Sequence, residues 1–234
     1  CFAVRVDTFP APKKKQVFIL GANDPDHFVK MRRHILGTFV HLPEMVEYMN
    51  RSTFTIAEKY AKDVALAIKY LGTERLPKAY ALKAKVEYLL NKISFLPKYL
   101  PDIFLYYASK LFPQHLPKRL LEYRDTYEHL LILVTADEAI DEARRFLEND
   151  WGRTDGVGFF ECSERGQEAA LLHRFSAAGA GIRYQNLHQR TTEEVLSLDV
   201  ALLSSDPEWI EELPEELTKD MVLDLSYGHY LCHV

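Results

Sequence analysis

Cysteine is scarce in this chain: Cys1, Cys162 and Cys232 are the only three among 234 residues. An odd number at wide, irregular spacing suits neither a disulfide framework nor a zinc knuckle, and it fits a reducing compartment, with the cytosol as the default. Long apolar runs are missing too. The longest aliphatic stretch is Leu130 to Val134, far short of the roughly 18 residues that a bilayer-spanning helix needs. Also absent are Gly-x-Gly-x-x-Gly, a Walker loop, a Gly-x-Ser-x-Gly elbow and Cys-x-x-Cys, so the residues unaided name no reaction. No targeting segment precedes the strand-like alternation of Phe2 to Asp7, and Tyr227 to Val234 reads as a strand still running at the chain's end. Both ends suggest a piece cut from a longer polypeptide.

Positive charge is abundant, and it is gathered in one place. The chain totals −5, yet residues 75–119 hold nine Lys or Arg (Arg75, Lys78, Lys83, Lys85, Lys92, Lys98, Lys110, Lys118, Arg119) against only Glu87 and Asp102. Eight aromatic side chains run through the same block: Tyr80, Tyr88, Phe95, Tyr99, Phe104, Tyr106, Tyr107 and Phe112. Such asymmetry points to an anionic partner surface, whether a membrane leaflet, a nucleic acid or an acidic protein.

The rest of the chain reads as α+β. Gln16 to Leu20 has strand character, and Asp24-Pro25 opens a helix whose Phe28, Met31, Ile35 and Phe39 share a face. A second series follows from Tyr127: a central strand over His129 to Val134, a helix over Asp137 to Glu148, and a strand over Gly158 to Cys162. Two β-α-β passes suggest an antiparallel sheet of ferredoxin-like type. Between them lies an amphipathic helix, Ser52 to Leu71, with Ile56, Tyr60, Val64, Ala67, Ile68 and Leu71 on one side. The basic block follows it, cut into short helices by Pro77, Pro97, Pro101, Pro113 and Pro117, each best tolerated at a helix start. The organisation is a sheet domain interrupted by a helical insertion.

Within the block, Ala79, Leu82, Val86, Leu89, Leu90 and Ile93 make one helical face, and Lys78, Lys85 and Lys92 run down its flank. That is the pattern of an interfacial helix, whose lysines hold anionic head groups at about 1 kcal/mol each while aromatic rings settle beside them. Two other readings stand against it. The apolar face could pack on a neighbouring helix with the lysines in water. The same residues could bind nucleic acid, although no nucleic-acid-binding motif accompanies the charge.

Two segments carry candidate chemistry. Leu171 to Tyr184 mixes His173, Arg174 and Arg183 with many Ala and Gly. Small residues allow close approach, and an arginine beside them suits a carboxylate through paired charge-assisted hydrogen bonds. The alternative is a helix packed tightly through its small residues, with Arg174 and Arg183 solvated. The second segment is Tyr227 to His233, where His229 and His233 fall on one face of a strand. They suit a general base or metal ligands, but a ligand set needs a third partner and no Asp or Glu stands beside them.

Several runs resemble one family. FAVRVDTF from Phe2 to Phe9, QVF from Gln16, RRHI from Arg32, IAEKY from Ile56, LGT from Leu71, LHRFSAAG from Leu172, IRYQ from Ile182 and YGH from Tyr227 are similar to the quinone-dependent, membrane-associated D-lactate dehydrogenases of bacteria. The likeness extends over the whole chain in collinear order. It implies a flavoprotein of the vanillyl-alcohol-oxidase class with an FAD domain, a substrate cap and a helical domain resting on the membrane. This chain would be the cap (1–44, 122–161 and 186–234) and the helical membrane-binding insertion (45–121, with 162–185 a candidate addition), without the FAD domain. The implied reaction oxidises D-lactate to pyruvate, reducing FAD, which passes electrons to membrane quinone.

The resemblance also suggests roles. His229 aligns with the first histidine of a Gly-His motif in related D-2-hydroxyacid dehydrogenases, and the motif's second histidine would fall past Val234. Arg174, then Arg183, would hold the substrate carboxylate. Leu198 stands where those relatives have a lysine, and the metal requirement stays open. Lys78, Lys83, Lys85, Lys92, Lys98, Lys110, Lys118 and Arg119 would meet anionic phospholipid on the cytoplasmic face of the inner membrane, as a peripheral attachment and without nucleic acid. Dehydrogenation of another small D-2-hydroxy acid, or a non-catalytic basic module, are the alternatives.

Overall fold

A computed structural model describes residues 11–72, 74–93, 95–96, 99–177, 179–188 and, by backbone alone, 228–232. The strand expected at Phe2 to Asp7 lies outside them. Five strands form one sheet in the order β4-β1-β3-β2-β5, with every neighbour antiparallel. They are β1 (Lys15–Ala22), β2 (Met45–Asn50), β3 (His129–Ala136), β4 (Val157–Glu161) and β5 (Gly228–Cys232). Each β-α-β pass skips one strand: α1 (Asp26–Thr38) joins β1 to β2 around β3, and α7 (Glu138–Asn149) joins β3 to β4 around β1.

The central strands are apolar at consecutive positions because both faces of the sheet are covered. On one face Phe18, Leu20, Tyr48, Leu131 and Leu133 pack with Phe28 and Ile35 of α1, Leu147 of α7, and Trp151. On the other, Val17, Ile19, Met49, Leu130, Ile132 and Val134 pack with Phe54, Leu120 and Ala170. These last three belong to α2 (Arg51–Tyr60), α6 (Lys118–Thr126) and α8 (Glu164–Ala177). Pleat alternation divides each strand's side chains between the two layers.

Between β2 and β3 the chain forms α2, α3 (Lys62–Leu71), α4 (Leu76–Leu90), α5 (Leu100–Ser109) and α6, and α9 (Ala180–His188) follows α8. Two expectations are corrected here. The helical segment expected from residue 45 begins at Arg51, because Met45–Asn50 is a sheet strand with Val46 and Tyr48 buried; Asn50 ends it and caps α2 by accepting from the Thr53 N–H at 2.8 Å. The single helix expected over 52–71 is broken at Ala61. Ala57, Ala61 and Ala180 pack together there, so that small side chains let α9 approach the break. Pro77 and Pro101 occupy the first turns of α4 and α5, and Pro117 precedes α6, as expected, whereas Pro113 lies in the irregular stretch between α5 and α6 and starts no helix.

Candidate membrane-docking surface

The face of α4 that lies toward the protein holds Leu76, Ala79, Lys83, Glu87 and Leu90, of which only Leu76 is fully buried. Lys83 reaches Asp102 of α5 at 2.6 Å, with Glu87 at 3.7 Å. Asp102 is buried and also accepts from the Asn186 side chain of α9 at 2.8 Å. Arg183 of α9 completes the group, donating to Asp63 of α3 at 2.8 Å and to the Asp102 carbonyl at 3.1 Å. Burial raises the Asp63 pKa against the pull of the Arg183 guanidinium. Four helices are thus joined by one buried, charged cluster.

A side face of α4, roughly a quarter turn around the helix from the protein-facing one, turns apolar residues to water. Leu82 is 64% exposed and Leu89 60% exposed, and Val86 and Ile93 extend the same stripe. The face read in the sequence is therefore divided: Ala79 and Leu90 lie toward the protein, and the other four residues do not pack on a neighbouring helix. Phe95, Phe104, Tyr107 and Leu111 add further exposed apolar surface, with Phe95 at 84% and Leu111 at 87%. Exposed aromatic and aliphatic groups gathered in one stretch mark an interaction site more than scattered ones do.

The cations around this surface differ in what they touch. Lys78 and Lys85 are exposed on α4. Lys92 lies over the Tyr88 ring at 4.3 Å, and Lys110 lies 4.2 Å from the Tyr106 ring centre and 4.9 Å from that of Tyr107. Lys83 is turned inward, as described. Lys118 pairs with Glu122 at 3.4 Å, and Arg119 lies over Phe160 of β4 at 4.7 Å, so both sit on the helix that packs against the sheet. Lys98 lies outside the described residues.

The residues expected at a substrate site are placed as follows. Arg174 of α8 donates through Nε to Glu47 of β2, whose pKa burial raises although the arginine opposes it. Arg183 is buried and engaged by Asp63 and Asp102, so the reading in which both arginines are solvated is corrected. His229 lies on β5 with its backbone in register with Tyr48, next to the Glu47–Tyr230 pair. Tyr48 enters the α1 and α7 layer, where its hydroxyl meets His129 Nδ1 at 2.5 Å. Sequence reasoning missed Glu47, Asp63 and Asp102 as partners, because the helices and strands that carry them are distant in sequence.

Neither cavity described suits a large cofactor. One is a small gap lined by Phe54, Leu130 and His173; the other, about 170 Å³, lies between Arg119, Phe160, Glu161, Cys162 and Gly166, below the roughly 300 Å³ of even a modest ligand pocket. Neither of these two has room for FAD. Among them no group of three His, Cys, Asp or Glu could hold a metal, and no helix is long and apolar enough to cross a membrane. Burial pushes the Cys162 thiol up to about 12, which keeps it protonated and poorly nucleophilic.

Comparison with known proteins gives one consistent result. The family model described as "D-lactate dehydrogenase, membrane binding" matches residues 17–234. Quinone-dependent D-lactate dehydrogenases of Haemophilus influenzae and Escherichia coli are each 44% identical over 233 residues, and that of Corynebacterium glutamicum is 34% identical over 234. All three alignments take in 100% of this chain but only 41% of the relative.

Proposed function

The chain belongs to the D-lactate dehydrogenase membrane-binding family, and from that premise we propose that it supplies the substrate cap and the peripheral membrane dock of a quinone-dependent D-lactate dehydrogenase. The parent oxidises D-lactate to pyruvate and passes the electrons to membrane quinone. Because the chain spans about two fifths of its relatives' length, the flavin belongs to the remainder. The docking partner is the anionic phospholipid of the cytoplasmic face of the inner membrane.

The observation that carries this reading is the exposed face of α4, apolar along Leu82, Val86 and Leu89 and flanked by Lys78 and Lys85. Lysines at a flank meet head groups, and their attraction falls off within a Debye length of the surface. For the substrate, the reading keeps Arg174 and His229. A guanidinium has five N–H donors, so Arg174 can be oriented by Glu47 and still face a carboxylate. Arg183 fits better as the centre of the charged cluster under the dock than as a substrate ligand.

Sedimentation with vesicles tests the dock. The full chain is expected to pellet far more completely with vesicles containing anionic lipid than with purely zwitterionic ones at low salt. The triple variant Lys78→Glu, Lys85→Glu, Lys92→Glu should stay in the supernatant with both. Wild type remaining in the supernatant with anionic vesicles would remove the reading.

A further inference from the structure

Resting on that reading, we infer that α4 does not merely touch head groups but buries its Leu82, Val86 and Leu89 stripe in the acyl region of an anionic bilayer. A helix stabilised in water turns its apolar side inward and its charges outward. On α4 the apolar residues are divided: Leu76, Ala79 and Leu90 turn inward, Lys78 and Lys85 are exposed, and a second apolar stripe is left uncovered. Lys83 and Glu87 lie on its protein side, paired with each other and with Asp102, while Leu82, Val86 and Leu89 face out, with Ile93 continuing the stripe into the next turn.

Charge alone does not account for this arrangement. A purely electrostatic dock needs only the flanking lysines, and exposed leucines would cost solubility without adding attraction. An interfacial helix lies with its apolar face roughly 5–10 Å below the head groups, its lysines reaching back to the phosphates. Lys78, Lys85 and Lys92, on one flank of the stripe, are placed for that role, and Tyr88, with Lys92 4.3 Å from its ring centre, suits the head-group level. The flanking cations select an anionic bilayer over a neutral apolar partner. The cluster of Lys83, Asp102, Arg183 and Asp63 holds α4 from behind, so that the stripe is presented on a braced element.

The test separates insertion from electrostatics. The full chain is bound to anionic vesicles at low salt, then raised to 1 M salt, where the Debye length is about 3 Å. Wild type should retain a bound fraction that a purely electrostatic dock would lose. The variant Leu82→Gln, Leu89→Gln should release and should bind about tenfold or more weakly at low salt, as expected for two leucines withheld from an apolar phase. Because both side chains are exposed, its circular dichroism should match wild type. A Leu89→Trp probe should be quenched by lipids brominated in the acyl chain.

Three outcomes overturn the inference. Complete release of wild type at high salt with no quenching means an electrostatic dock, and leaves the proposed function standing. Association of the free chain into a dimer that the leucine variant abolishes means a second copy covers the stripe. Failure to bind anionic vesicles at all removes the inference and the proposed function together.

Discussion

Two glycines show what a single residue can be required to do. Gly21 and Gly158 are register partners across β1 and β4, and Tyr127 lies over both, so that a methyl group on either would overlap the ring. Tyr123 adds to the crowding, its hydroxyl donating to the Phe159 carbonyl at 2.8 Å. Gly158→Ala should therefore cost about 1–3 kcal/mol, read as a lower urea midpoint. Combined with Tyr127→Ala, the two losses should sum to less than their separate values, because the second change removes the clash. Strict additivity would show that the strand shifts instead. The sequence reading assigned the arginines to a substrate carboxylate; in the fold they meet carboxylates of the chain itself. Glu47 and Asp63 lie far from Arg174 and Arg183 along the chain, and only packing brings them together.

At the scale of elements, the helices around α4 are tied by charge as well as by apolar packing. Arg183 links α9 to α3 and α5, and Lys83 links α4 to the same Asp102. Removing one member of a buried ion pair leaves the other uncompensated, so Arg183→Ala should cost about 3–5 kcal/mol. The sign of its pH dependence follows from Asp63. Burial already raises that carboxyl above its ordinary value, and without the guanidinium it rises further. The deficit is the cost of an ionised, buried Asp63, so it should shrink as pH falls and the group protonates. Urea melts of both proteins at several pH values check this, and Asp63→Asn added to the variant should restore part of the loss at neutral pH. Helix starts at Pro77 and Pro101 and the buried strand at His129–Ala136 follow from local rules. The break at Ala61 does not, because no proline or glycine marks it and the packing of Ala61 with Ala180 is visible only in the fold.

For the molecule as a whole, buried histidines set the response to acid. Burial lowers His173 to about 3 and His115 to about 4, and it lowers His129 as well. A group whose folded pKa lies below its unfolded value stabilises fully above the unfolded value, about 6.5, and that contribution is lost as pH falls. The chain should therefore lose stability from about pH 6.5 downward, at up to roughly 1.4 kcal/mol per pH unit for each fully buried ring. Glu47 and Asp63, raised by burial, act in the opposite sense and offset part of the loss once pH reaches their range. Urea midpoints measured from neutral to mildly acid pH should fall, and His173→Leu should flatten the curve. An unchanged slope in that variant would mean that His173 is not held neutral in the fold.

What the sequence determined by itself was the class of the chain and the address of its function. Consecutive apolar residues in Leu130 to Val134 required a strand covered on both faces, and the cations of residues 75–119 set that block apart from an otherwise acidic chain. Those conclusions follow from local composition and period, which folding cannot change. Tertiary structure alone decided orientation. The periodicity of α4 made an apolar stripe and a lysine row, but it did not say which side would face the protein; Asp102, brought from another helix, paired with Lys83 on the inner side, and Leu82, Val86 and Leu89 stay outside. The same assembly placed Arg174 on Glu47 and turned Arg183 into a brace. A pattern of polarity is written along the chain, but the side that gets buried depends on where the complementary charges converge in space.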